Sequence, residues 1–352
     1  MTDKTNPGNF FGDFCLGQKI IHATPRTATA GDVSLYTAIY GARFAVQSSS
    51  AFAQAIGLPQ APVDDLLLFH LVFGKTVPDI SLNAIANLGY AAGRFLQPVY
   101  PGDSLRAISE VIGLKENSDG KTGNVYVRSV GSNQRDEIVL EYVRWVMVRK
   151  RNSHSATFAP VIPDLPQAVV PEDLEVPAGL DLSGYDASLA GSHYYWDDYE
   201  AGEKIDHVEA MTIEESDHMI AARLYQNTAK VHFNQHTEQG GRFGRRIVYG
   251  GHIISLARCF SFNGLGNAFK MAAINGGRHV APSFAGDTIY AWSEVLEKSP
   301  LPAHPDLGAL RLRTVATKDR SCSDFPYKDG EGRYDPAVVL DFDYTVLIPR
   351  KH

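Results

Sequence analysis

The chain has 352 residues, 44% hydrophobic and 21% charged, with a formal net charge of −7, long enough for two domains or one large one, each with its own core. A negative balance without a Lys/Arg-rich stripe argues against a nucleic-acid binder, and Arg149-Lys150-Arg151 reads as a solvated domain end. The polar N-terminus, the lack of a bilayer-length apolar run and three distant cysteines (Cys15, Cys259, Cys322) predict a cytoplasmic protein with no membrane partner, disulfide framework or metal spacing.

In chain order, F-G-D-F-C-L-G-Q-K-I (11–20) comes first, followed by apolar runs at 33–40, 63–73, 84–95, 104–111, 124–130 and 138–148. The stretch 153–192 carries Pro160, Pro163, Pro166, Pro171 and Pro177 with little periodicity and reads as a linker between a half at 10–152 and a half at 193–352. W-D-D-Y-E-A-G-E-K-I (196–205) then repeats the opening segment at an offset of 185. Thr212-Ile-Glu-Glu215 has capping-box spacing and predicts a helix to about Tyr225. A loop follows, then a buried helix with Ile253, Ile254, Leu256, Ala257 and Phe260 at helical spacing, and strand-like runs at 271–280, 288–296, 310–317 and 338–348. R-F-L-Q-P-V-Y-P-G-D (94–103) is matched by R-H-V-A-P-S-F-A-G-D (278–287) at an offset of 184, in the same order as the first match, which indicates a duplicated domain. One long apolar helix and several antiparallel strands per half predict an α+β protein with a curved sheet wrapped round a helix.

The loop 225–252 is the densest in chemistry. His232, His236 and His252 stand there with Asn227, Asn234 and Glu238, and Gly250-Gly251 closes the loop at the apolar helix. An imidazole moves protons near neutral pH, and glycines opening a helix aim bare N–H groups at an oxygen carrying negative charge. The pattern points to acid/base chemistry beside a polarised carbonyl. His236 and Glu238 read as loop or helix surface. His252 reads equally as a buried hydrogen-bonded residue or a site residue, and the histidines lack a regular metal-ligand set.

The Gly-Asp after the second strand, the histidine loop and the glycine-led helix resemble the MaoC-like hydratases over nearly all of both halves. His232 falls on the catalytic histidine of that family. Asn227 stands where the signature has Asp, Ala229-Lys230 replaces its Asn-Pro, and Asn234 falls where many members have Asp. The resemblance implies a double hotdog fold, two antiparallel sheets each wrapped round a central helix. It also implies an enoyl-CoA hydratase/dehydratase with no cofactor beyond the coenzyme A of its substrate, and a homo-oligomer. N-T-A-K-V-H-F-N-Q-H and G-R-R-I-V-Y-G-G-H are most similar to members acting on mesaconyl-CoA (2-methylfumaryl-CoA), which implies its reversible hydration to 2-methylmalyl-CoA.

On that resemblance His232 is the acid/base, Asn227 positions water, and the Gly250 and Gly251 amides hold the oxyanion, with Glu238 or His252 as a second titrating group. Coenzyme A phosphates and a free carboxylate require cations, for which Lys230, Arg242, Arg245, Arg246 and Arg278 are candidates beside His252; a plain charged rim is the alternative reading. Gln47 and Ala42 stand at the first-half positions equivalent to His232 and Asn227, so that half is expected to shape the pocket and leave one site per chain. An (R)-specific hydratase of simple enoyl-CoA chains, an acyl-CoA thioesterase and a non-catalytic acyl-CoA binding protein are the alternatives.

Overall fold

The computed structural model describes residues 4–152 and 159–351, so the opening of the expected linker, 153–158, lies outside the described residues. In the first half the strands are β1 (Lys19–Thr27), β2 (Ala84–Phe95), β3 (Ser104–Glu116), β4 (Thr122–Ser132) and β5 (Ile138–Arg149). In the second they are β6 (Lys204–Thr212), β7 (Lys270–His279), β8 (Thr288–Pro300), β9 (Leu307–Lys318) and β10 (Val338–Pro349). The order across the sheet is β1-β3-β4-β5-β2-β7-β10-β9-β8-β6, which runs through equivalent strands from either edge. The two expected sheets are thus the halves of one ten-stranded antiparallel sheet. They meet because β2 pairs with β7, Tyr90 opposite Gly277 and Arg94 opposite Ala273, which leaves neither strand as an open edge.

Among the described residues four helices reach ten residues: α1 (Ala30–Tyr40), α2 (Asp65–Thr76), α3 (Glu215–Leu224) and α4 (Gly250–Phe260). The sheet curves round α2 and α4. Every residue of α2 from Leu66 onward and of α4 from Gly251 onward is buried, as expected of a helix apolar on nearly all sides. Both helices belong to one continuous core that also takes in Tyr36, Tyr40 and Tyr225. Burying a Leu or Phe contributes about 1.5–3 kcal/mol each, so packing rather than helix propensity holds these segments in place.

The repeated motifs turn out to be folded-back aspartates. Phe10 N donates to Asp13 Oδ2 and Tyr195 N to Asp198 Oδ2, both at 2.9 Å; Tyr100 N to Asp103 Oδ2 and Phe284 N to Asp287 Oδ2 repeat the geometry at 2.9 Å. The glycine just before Asp103 and Asp287 has φ of 109° and 95°, a left-handed turn that other residues resist. The duplication extends to buried hydrogen bonds: His22 Nε2 meets Ser109 Oγ and His207 Nε2 meets Ser293 Oγ.

One expected helix start differs from the structure, and two strands were not anticipated. Thr212 does not cap a helix; it ends β6 opposite Thr288, and α3 begins at Glu215 after Glu214, with no side-chain cap. Strand pairing had already taken the threonine. The outer strands β1 and β6 do not stand out in the sequence because each buries little: in K-I-I-H-A-T-P-R-T only His22 is buried. The described part of the linker region touches both halves, through the Leu114–Val161 bridge and through Val169 N, which donates to Asn275 Oδ1 at 2.9 Å.

The seam depends on small residues. A Cβ on Gly277 would lie 2.8 Å from the Tyr90 ring and 3.1 Å from the Phe342 ring. Gly277→Val should therefore lower stability by about 1–3 kcal/mol, read as a lower urea midpoint; an unchanged midpoint would show that the seam relaxes freely.

Candidate active site

The site grows from the end of α3. Gln226 takes a positive φ of 53°, which stops the helix and turns the chain into the loop. Asn227, 5% exposed, then closes an Asx turn, its Oδ1 accepting from Ala229 N at 3.0 Å. A 3-10 turn, Lys230–His232, carries the histidine. The loop zips back on itself: Ile247 N donates to Val231 O at 3.1 Å, and His232 Nδ1 lies 3.0 Å from Ile247 O. A carbonyl can only accept, so Nδ1 carries the proton and the neutral ring keeps its lone pair on Nε2.

A cavity of about 310 Å³ opens beside this ring at the β2–β7 seam. His232, Tyr249, Gly250 and His279 of the second half line it with Phe73, Asn87, Tyr90 and Arg144 of the first. His232 is half-buried because the cavity reaches it. Burial pulls its pKa down to about 4, with nearby His218 a smaller cause and the Ile247 carbonyl opposing. The ring is therefore neutral at pH 7 and able to accept a proton. His279, over Gly250, is held at about 4 by burial and then by His232, and its Nε2 lies 3.1 Å from Tyr90 Oη.

Gly250 is the first residue of α4, and the preceding Tyr249 makes no side-chain cap. An uncapped helix start leaves N–H groups and the positive dipole end available to an anion. The two glycines also have a packing role that spacing alone does not reveal. A Cβ on Gly250 would stand 2.4 Å from the His279 ring, and one on Gly251 would stand 2.3 Å from the Tyr249 ring and 2.5 Å from His70. Gly250 lines the cavity; Gly251 packs behind it.

The first half closes the equivalent place. Asp64, at the position equivalent to Tyr249, caps α2, its Oδ1 accepting from Leu66 N at 2.8 Å. A helix start filled by its own carboxylate cannot also hold a substrate oxyanion. Gln47 Nε2 is spent on Phe269 O at 2.7 Å, and Ala42 packs against the core. Titration with an unreactive CoA thioester should accordingly show one site per chain, and two equivalent sites would contradict this asymmetry.

Several expected contacts are not made. His252 is 2% exposed, its Nδ1 2.9 Å from Tyr40 Oη, and it does not line the cavity. Two positions along a helix turn a side chain by about 200°, so His252 faces the core when Gly250 faces the cavity. Of the basic candidates only Arg242 lines the cavity, at its exposed rim and stacked on Phe243. Arg246 is paired with Glu215, Arg245 lies over the Phe284 ring at 3.9 Å, and Lys230 is exposed. Arg278 is exposed because strand alternation sends it to the face opposite His279. His236 and Glu238 lie on a short helix that Asn234 caps through Thr237 N at 3.1 Å, away from the cavity lining. His279, Tyr90 and Arg144 went unnoticed in the sequence. A signal for the first was present: in the repeat, His279 stands where the first half has Phe95.

A double hotdog with a histidine loop laid against a glycine-led helix defines the class. A solved MaoC domain protein described as a putative dehydratase, from Chloroflexus aurantiacus, superposes with a TM-score of 0.98 at 68% identity, covering 100% of both chains. A Mycobacterium tuberculosis protein described as having a double hotdog fold superposes at 0.77 with 25% identity, over 97% of this chain and 99% of that one. The mesaconyl-CoA hydratase family model matches residues 1–327, and the chain belongs to that family. A Chloroflexus aurantiacus relative named beta-methylmalyl-CoA dehydratase is 69% identical over 351 residues, 100% of each chain. No helix among the described residues is long and apolar enough to cross a membrane.

Buried imidazoles inside and outside the site make stability depend on acid. Burial holds His70 and His252 at about 3 and His207, His232 and His279 at about 4, all below the ordinary 6.5. Below pH 6.5 the unfolded chain binds protons that the folded one refuses, so their contribution is full above that pH and is lost as pH falls toward 4. The melting temperature should be flat with respect to these groups above pH 7 and drop from about pH 6.5 downward; a flat profile to pH 5 would contradict this.

Proposed function

We propose that the chain is a hydro-lyase that interconverts mesaconyl-CoA and 2-methylmalyl-CoA (β-methylmalyl-CoA), with its catalytic centre in the seam cavity. The observation that carries this is the pairing of a lone-pair-bearing His232 Nε2 with the uncapped start of α4 in one enclosure. The family model and the named dehydratase relative support the substrate.

In hydration, water bonds to the β-carbon and its proton passes to His232 Nε2. The electron pair of the carbon–carbon double bond moves onto the thioester oxygen, where the Gly250 amide and the helix dipole stabilise it. The α-carbon then takes the proton that His232 accepted, which restores the neutral ring, and the enolate collapses to the thioester; dehydration reverses each step. Asn227 cannot transfer protons. With one lone pair of its oxygen engaged by Ala229 N, its amide hydrogens and the second lone pair remain to orient water or substrate. The second titrating group at the cavity wall is His279 with Tyr90, in the role expected of Glu238 or His252. Arg242 at the rim meets the coenzyme A phosphates. The three free cysteines suit a reducing cytoplasm.

His232→Ala should lower the hydration rate by about 10²–10⁴-fold, followed as loss of the conjugated thioester absorbance, with an unchanged circular dichroism spectrum. Near wild-type turnover would overturn the assignment, and release of free thiol would mark a thioesterase instead.

A further inference from the structure

We propose that Arg144 is the subsite for the free carboxylate of the substrate, a cation that the first half contributes to a reaction whose base lies in the second. The inference rests on the mesaconyl-CoA reading above and names how that substrate is told from plain enoyl-CoA thioesters. Arg144 sits on β5, opposite Tyr90 of the seam strand, and is fully buried in the cavity wall. Its guanidinium offers five N–H donors. The protein uses them sparingly: Nη2 donates to Thr76 Oγ1 at 2.7 Å, the contacts to Ser81 Oγ are long at 3.4 Å, and Nε has no partner among the described residues. Among the described residues no carboxylate pairs with it. The Phe73 ring lies 4.2 Å below its central carbon.

A guanidinium buried without a counter-ion is costly, and leaving one so is rare unless a ligand brings the missing charge. Burial does push the pKa of Arg144 down, and the neighbours that oppose this are Tyr142, Tyr90 and Tyr249 rather than acids. A second observation points the same way. Both amide atoms of Asn87 and the hydroxyl of Ser283 are buried without partners among the described residues, and both residues line this cavity. The cavity is thus built for a polar group as well as for the acyl chain. The arrangement is also one-sided: the second-half position that pairs with Ile274 as Arg144 pairs with Tyr90 holds Tyr344.

The chemistry gives the cation two tasks. In mesaconyl-CoA the free carboxylate is attached to the carbon that water attacks. Bidentate pairing with Arg144 fixes that carbon relative to His232. It also offsets the negative charge that would otherwise repel an incoming oxygen nucleophile. An acyl chain with a methyl group in place of the carboxylate leaves the buried guanidinium unpaired, and a site built for a polar group rejects such an analogue strongly.

Two saturated thioesters that differ only in this group test the idea: methylsuccinyl-CoA, esterified beside its methyl-bearing carbon, and 2-methylbutanoyl-CoA, measured by calorimetry. The wild type should bind the first at least ~100-fold more tightly. Arg144→Met should bring the two affinities within about threefold of each other, and Arg144→Lys, which keeps the charge but loses the fork, should fall between. A preference in Arg144→Met equal to that of the wild type, or an equal loss for both ligands, overturns the proposal and leaves Arg144 a packing residue. Should Arg144→Met fail to fold by circular dichroism, Arg144→Lys decides: a tenfold or greater fall in preference supports the subsite, and a smaller fall overturns it. A wild type that binds methylsuccinyl-CoA selectively but does not hydrate mesaconyl-CoA would refute the proposed reaction while sustaining the carboxylate subsite.

Discussion

The pairing of β2 with β7 is the constraint on which the rest depends. It joins two five-stranded halves into one sheet and sets Tyr90 of one half beside Gly277 of the other. Because β2 is also paired with β5, the same hydrogen-bond ladder places Arg144 one strand from the seam. On the other side, β7 delivers His279 at its last residue. A cavity bounded by both halves follows from this ladder. Glycines at the crossing are the local condition, since Gly93 and Gly277 leave no room for side chains.

Within that frame the two halves are alike in architecture and unlike in electrostatics. Each has a buried helix that starts at the same place relative to its sheet. In the first half the start is neutralised by Asp64; in the second it meets Tyr249, which offers no cap. Duplication supplies two helix termini, and a single aspartate decides which of them stays open to a ligand. The low dielectric that makes the open terminus effective also keeps His232 and His279 neutral, so the same burial shapes the binding and the proton chemistry.

Much of this was legible in the chain. The motif matches at offsets of 185 and 184 announced the duplication, because turns closed by Asp13, Asp103, Asp198 and Asp287 recur with their glycines. Apolar residues on nearly every side of 253–260 announced a buried helix. His232 and Gly250 stand close enough in sequence for a loop to bring them together. The edge strands β1 and β6 were not legible, since a strand with one buried side chain carries no alternation to read. Of the two readings the sequence left open for His252, the structure shows the buried, hydrogen-bonded one, since adjacency to a glycine turn does not say which way a helix faces.

The sequence by itself determined the duplicated α+β architecture, the two buried helices and the loop that carries the histidine. These are local: periodicity, turn chemistry and capping act over a few residues. Only the tertiary structure decided that Asp64 fills the first half's helix start, that His279 and Tyr90 complete the cavity wall, and that Arg144 stands in it without a counter-ion among the described residues. Arg144 and His232 lie 88 positions apart in the chain, in different halves. Their common cavity is a product of strand pairing across the seam, a long-range contact that no local pattern encodes.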